Sequence, residues 1–171
     1  MARATFVKKA RKAVPAADIK VGDSYYWWKF RFGGKHYSKT PPKQSQLTQS
    51  AFYSTLYDIQ ERAGDLPADD GLPSERDSIV SDLEDLKSEC ESSLENVPDS
   101  LKEAPTGQLL QERIDALDSA IGELEGIDMD DEPNEDNRED WADEHESLED
   151  AVSAYWEEKR DEVSNVDLGI A

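Results

Sequence analysis

Two kinds of periodicity divide the chain. Between Ser24 and Thr40 it reads SYYWWKFRFGGKHYSKT, and its side chains alternate with the period of a strand. Tyr25, Trp27, Lys29 and Arg31 fall on one face, and Tyr26, Trp28, Phe30 and Phe32 on the other. The second set is wholly aromatic, which predicts a buried face. The first mixes rings with cations, which predicts a face turned to water or a ligand. Gly33-Gly34 predicts a two-residue turn of the positive-φ kind. Lys35 to Thr40 is then the returning strand, and Pro41-Pro42 stops it. Ahead of this hairpin, residues 2–14 read as a disordered arm or a first edge strand, and Asp18 to Asp23 as a short strand or turn.

From Ser45, the expected N-cap, the period becomes helical. Phe52, Leu56, Ile59, Ala63 and Leu66 recur at alternating steps of four and three, one narrow stripe with Tyr53 and Tyr57 beside it. PADDGLP breaks this helix, and Ser74 is expected to cap a second, striped by Ile79, Leu83, Leu86, Cys90, Leu94 and Val97. Pro98 and Pro105 bound a short turn before a third helix, capped at Thr106 and striped by Leu110, Ile114, Leu117, Ile121 and Leu124. Gly126 ends it at the acidic loop IDMDDEPNEDN. A fourth helix is predicted through Trp141, His145, Leu148, Val152, Tyr155 and Lys159, and the final NVDLGIA is expected to fray.

Stripes this narrow pair with one or two neighbours, as in coiled coils. The second and third helices are expected to form an antiparallel hairpin, or the stripes complete themselves in a homodimer. The predicted class is α+β: a small N-terminal antiparallel β-hairpin or sheet, then a mainly α, coiled-coil-like helical hairpin or bundle. The expected divisions are a basic aromatic β-module over 1–44, a helix packed on it over 45–66, and an acidic helical bundle over 67–171.

Composition sharpens this contrast. The chain is 35% charged and 36% hydrophobic, so a single core is lean. Its net charge of −21 is unevenly spread: residues 1–44 hold 11 Lys/Arg and 2 Asp, net +9, whereas 45–171 hold 8 bases and 38 acids, net −30. Such a split reads as a nucleic-acid-facing arm on an acidic body, or as two parts that neutralise each other within a molecule or a dimer. With Cys90 alone, no internal disulfide forms, which fits a reducing cytosol. No apolar run approaches the roughly 20 residues that span a bilayer, and the basic N-terminus lacks the apolar core of a secretory signal. The expected setting is the cytoplasm of a host cell or the inside of a phage particle, with no membrane contact.

Candidate chemistry is sparse. One Cys and two His cannot build a four-ligand zinc site. Asp128, Asp130, Glu132, Asn134, Asp136 and Glu139 follow a calcium-loop register, but Pro133 occupies the position that needs Gly. That segment is expected to be a solvated acidic linker; no metal and no cofactor are assigned. Cys90 lies in an apolar stripe between Glu89 and Glu91, which makes it a poor nucleophile and a core residue. His145 sits in the fourth stripe, and His36 has no acidic neighbour. No Ser/His/Asp set and no phosphate-cradling glycine loop appears, so no enzyme is expected. The hairpin remains: its rings offer stacking faces and its cations neutralise phosphates. The candidate nucleic-acid-binding residues are Tyr25, Trp27, Lys29, Arg31, Lys35, His36 and Lys39.

GDSYYWWKFRFGGKHYSKT followed by a helix resembles the arm-type DNA-binding domain at the N-terminus of phage integrases. The resemblance covers residues 20–60 and departs from the family at PPKQSQLTQSAF, where a Phe-Thr-Lys-Lys-type helix start is usual. It implies a three-stranded sheet against one helix, with Lys29, Arg31, Lys35 and Lys39 on the DNA side, and no recombinase activity. The whole chain also resembles small proteins of phages and bacteria. The functional expectation is a non-enzymatic protein whose residues 1–44 contact DNA or RNA and whose acidic helices bind a protein partner. The alternatives are an acidic mimic of nucleic acid that inhibits a host DNA-binding protein, or a structural component of a virion.

Overall fold

A computed structural model describes residues 1–169. The chain divides into two compact units, Met1–Asp58 and a second from Ile59 onward. The first carries an antiparallel sheet of three strands, β1 (Thr5–Val7), β2 (Tyr25–Lys29) and β3 (Lys35–Ser38), with β2 in the centre. Residues 2–14 therefore include an edge strand. Asp18 to Asp23 is a turn: Val14 bridges Ile19, and the Lys20 N–H donates to the Asp23 carboxylate at 2.9 Å. Ala10, Ile19, Trp28, Leu56 and Tyr57 are the buried apolar side chains of this unit.

Two expectations for the hairpin are corrected. Lys29 pairs with Lys35, so the connection is the five-residue loop 30–34 and not a two-residue Gly-Gly turn. Because β2 ends at Lys29, the alternation stops before the last two rings. Trp28 is buried at 5% exposure, but Tyr26 and Phe30 are half-buried, and Phe32 projects from the loop at 78% exposure.

Helix α1 spans Ala51–Gly64. Ser45 does not cap it; Ser45–Leu47 is a single 3-10 turn. Ser50 does so instead, its Oγ accepting from the Tyr53 N–H at 3.4 Å. Tyr53 and Tyr57 stack one turn apart, with centroids 6.1 Å apart.

The second unit holds α2 (Leu72–Glu95), α3 (Asp99–Lys102), α4 (Pro105–Glu125), α5 (Arg138–Trp141) and α6 (Leu148–Ser164). Helices α2 and α4 start earlier than Ser74 and Thr106 imply. Each opens on a proline in its first turn, where the preset φ suits a helix and no N–H is needed. They form the expected antiparallel hairpin. Arg76, early in α2, donates to the Ile127 carbonyl just after α4 at 2.9 Å, and Lys87 pairs with Asp118 farther along. Ile79, Leu83, Leu86 and Cys90 bury against a stripe of Ile114, Leu117, Ile121 and Leu124. The C-terminal end of α1 joins this packing: Arg62 pairs with Asp82, and Ser164 of α6 donates its hydroxyl to the Ala63 carbonyl at 2.8 Å.

The predicted fourth helix is interrupted. Helix α5 stops at Trp141, and α6 begins only after Ser147, whose Oγ accepts from the Asp150 N–H. Glu149 and Asp150 then sit in the first turn, where the helix dipole favours acids. The break rotates the buried face to Ala151, Trp156 and Val163 and leaves His145 outside a helix. The acidic loop is also more than a solvated linker. Trp141 donates its indole N–H to the Asn134 carbonyl, and Trp156 donates to the Glu132 carboxylate, both at 2.9 Å. The C-terminal segment does not fray at 165–169. Leu168 is buried, and Gly169 adopts φ +69° close against Ala116. Residues 170–171 of the expected frayed tail lie outside the described residues.

Candidate nucleic-acid interface

Strand pairing decides which side chains share a face. Trp27 stands opposite Tyr37, Lys29 opposite Lys35, and Tyr25 opposite Val7. One face of the sheet therefore collects Tyr25, Trp27 and Tyr37, with Lys29 and Lys35 at the hairpin end. The three rings are half-buried and the two lysines exposed. The Tyr25 and Tyr37 rings lie 6.0 Å apart, tilted by 45°. The Lys35 ammonium sits 4.6 Å from the Trp27 centroid, a cation–π contact that keeps charge and ring side by side.

Two ammonium side chains directly opposed on one face repel, by about 0.2–1 kcal/mol. Among the described residues, no carboxylate forms an ion pair with Lys29, Arg31 or Lys35. An anion placed between Lys29 and Lys35 would relieve that repulsion. Arg31 stands in the loop with its guanidinium 5.3 Å from the centroid of the exposed Phe32 ring.

Two candidate residues lie elsewhere. His36 is on the opposite face, stacked on Trp28 at 5.5 Å and met edge-on by Phe30 at 5.4 Å, where Phe6 and Tyr26 also pack at 5.0 Å. Lys39 lies past the end of β3 and is occupied by acids: it donates to Asp18 at 2.9 Å and stands 3.9 Å from Asp23. That hydrogen bond to Asp18 raises its pKa above the ordinary lysine value. Both acids among residues 1–44 are thus gathered around Lys39, away from Lys29 and Lys35. Tyr37, which sequence reasoning missed, takes the place assigned to His36.

The second unit offers a different surface. A cleft of about 400 Å³ lies against α5 and α6, walled by Trp141, His145 and Tyr155 with Asp131, Asp140 and Glu144. The Tyr155 hydroxyl is buried with no hydrogen-bond partner. Burial, and then the nearby acids led by Asp128, push its pKa up. Burial also raises the Cys90 thiol, with Arg113 opposing and Glu89 and Glu91 reinforcing. Among the described residues, no group of three or more His, Cys, Asp or Glu side chains is placed to hold a metal ion. No helix among them is long and apolar enough to cross a membrane.

No protein-family model matches the chain, and neither a curated protein nor a solved structure does.

Proposed function

We propose that the protein is a non-enzymatic nucleic-acid-binding protein of a phage or prophage. Its N-terminal sheet contacts the ligand and its acidic helices engage a protein partner. The observation that carries this reading is the opposed pair Lys29 and Lys35 beside the rings of Tyr25, Trp27 and Tyr37. Cations meet phosphates and rings meet bases, and both lie on one face. The resemblance of residues 20–60 to integrase arm domains supports the same face. From Ile59 onward the chain carries 8 Lys/Arg and 37 Asp/Glu, net −29. That charge repels a polyanion, which confines contact to the sheet and limits indiscriminate coating.

The test is fluorescence anisotropy of a labelled oligonucleotide titrated with the full chain across salt. Three phosphate contacts, from Lys29, Arg31 and Lys35, predict a log–log slope of about −2 to −3. Affinity then falls roughly 15- to 60-fold between about 50 and 200 mM salt. Lys29→Glu combined with Lys35→Glu abolishes binding without disturbing the helical spectrum. Absence of binding at low salt, or a double variant that binds as the wild type does, refutes the proposal.

A further inference from the structure

We infer that the cleft against α5 and α6 is a binding site for a guanidinium group, presented by a free small molecule or by an arginine of a protein partner. It lies in the second unit and does not rest on the nucleic-acid face. Its volume of about 400 Å³ falls within the roughly 300–1,000 Å³ of small-molecule clefts. Four carboxylates line it from separate parts of the chain: Asp131 in the acidic loop, Asp140 and Glu144 in and after α5, and Glu158 in α6. Among the described residues, no lysine or arginine lines the cleft, and none of the four acids forms an ion pair. The neighbouring bases are placed elsewhere. Lys159, 5.8 Å from the Tyr155 centroid, pairs with Glu162, and Arg160 pairs with Asp161. Arg138 lines a separate hollow with Glu135, Asp136 and Glu139.

The acids cannot simply spread apart, because the loop is fastened. The indole N–H groups of Trp141 and Trp156 hold it at Asn134 and Glu132, and the Asn137 N–H donates to the Asn134 side chain at 3.1 Å. The cleft therefore keeps a negative potential. Tyr155 registers it: burial, and then Asp128, Asp131, Glu132 and Asp130, hold its phenol above the ordinary value. A bound cation relieves that repulsion. The walls select which cation. No group of three or more His, Cys, Asp or Glu among the described residues is placed to hold a metal ion, so a compact ion finds too few ligands. A guanidinium spreads five donors over a plane and reaches carboxylates that stand apart. Pro133, Trp141 and Ala151 add apolar wall, which suits its weak hydration better than an ammonium's. The Tyr155 hydroxyl, on a ring that lines the cleft, is buried without a hydrogen-bond partner and offers a further acceptor.

The experiment titrates the nitrogen-15-labelled full chain with N-acetyl-argininamide, N-acetyl-lysinamide, calcium chloride and a glycine-flanked arginine peptide, followed at the Trp141 indole N–H. The arginine amide should shift Trp141 with a Kd of about 1 mM or below, at least about fivefold tighter than its lysine counterpart. Asp140→Asn combined with Glu144→Gln, both at exposed positions, weakens it about tenfold. Tyr155→Phe weakens it about fivefold while keeping the protein folded, which separates contact from packing. Glu139→Gln, on α5 but lining the other hollow, leaves it unchanged. A peptide bound at least as tightly as the amide assigns a protein partner as the source, and a weaker peptide assigns a small molecule; both sustain the guanidinium site. Lysine or calcium probes that match the arginine amide, or Glu139→Gln weakening it as much as the cleft variants do, reduce the cleft to diffuse attraction by an acidic surface and overturn the inference. A Trp141 resonance that no probe moves overturns it too.

Discussion

Trp27 and Trp28 are neighbours in sequence on opposite faces of the sheet, and truncating each separates packing from the proposed contact. Trp28 is 5% exposed and stacked on His36. A tryptophan side chain buries roughly 150–250 Å², worth about 4–6 kcal/mol at about 25 cal/mol per Å². Its indole N–H has no partner, so removing it also relieves a buried donor, a gain of about 1–3 kcal/mol. Trp28→Ala therefore costs about 3 kcal/mol, at the low end for such truncations. A unit as small as Met1–Asp58 has little stability to spare. Trp27 is half-buried and covered by Lys35, so Trp27→Ala gives up less area and one cation–π contact, about 1 kcal/mol. Amide hydrogen exchange across the β2–β3 ladder is the right assay. A global helical signal reports the second unit, and indole fluorescence changes with the substitution itself. Exchange in β2 and β3 should speed on the order of 100-fold in Trp28→Ala and about fivefold in Trp27→Ala. Oligonucleotide affinity should fall about 5- to 100-fold in Trp27→Ala. A ladder unchanged by Trp28→Ala, or lost in Trp27→Ala, would refute the assignment of the two faces.

Gly107→Ala should destabilise the helical unit in thermal melts, although alanine is the better helix former by about 1 kcal/mol, because a Cβ there runs into the Lys102 carbonyl. Tyr155→Phe should raise stability by about 1 kcal/mol or less, since the lost hydroxyl is buried without a partner. The raised pKa of Tyr155 means that its phenol ionises first in the unfolded chain. Stability of the wild type should therefore be intact below the ordinary tyrosine value near 10, fall as pH rises through it, and fall less steeply in Tyr155→Phe. With 37 acids against 8 bases from Ile59 onward, the melting temperature of the helices should rise from about 10 to 500 mM salt. A fall would mean that attraction between oppositely charged parts of the chain dominates.

The helical stripes were legible because a period near 3.6 marks a buried face wherever apolar residues are scarce. Ile79, Leu83, Leu86 and Cys90 are buried as the steps of four and three imply. Helix starts were misread where proline outweighed a capping hydroxyl, at Leu72 and Pro105. The fourth stripe misled because His145 continues the stepping by coincidence, while Ser147 and its acidic first turn restart the helix. At the candidate site the decisive error was register. A two-residue turn at Gly33-Gly34 would pair His36 with Arg31 and put it among the cations. The five-residue loop shifts the pairing by an odd number, which turns His36 to the Trp28 face and Tyr37 to the Trp27 face. The removal of Lys39 by Asp18 and Asp23 depends on a tertiary contact across 21 residues, which periodicity does not reveal.

The chain's four tryptophans report on both units at once, and their indole N–H resonances give the most direct test of the proposed nucleic-acid face. In a nitrogen-15 spectrum of the full chain titrated with an oligonucleotide, the Trp27 indole should shift first and farthest. Trp28, buried on the other face, should follow weakly, and Trp141 and Trp156, tied to the acidic loop, should stay in place. Shifts at Trp141 or Trp156 with Trp27 unmoved, or no shift at all, would contradict the account.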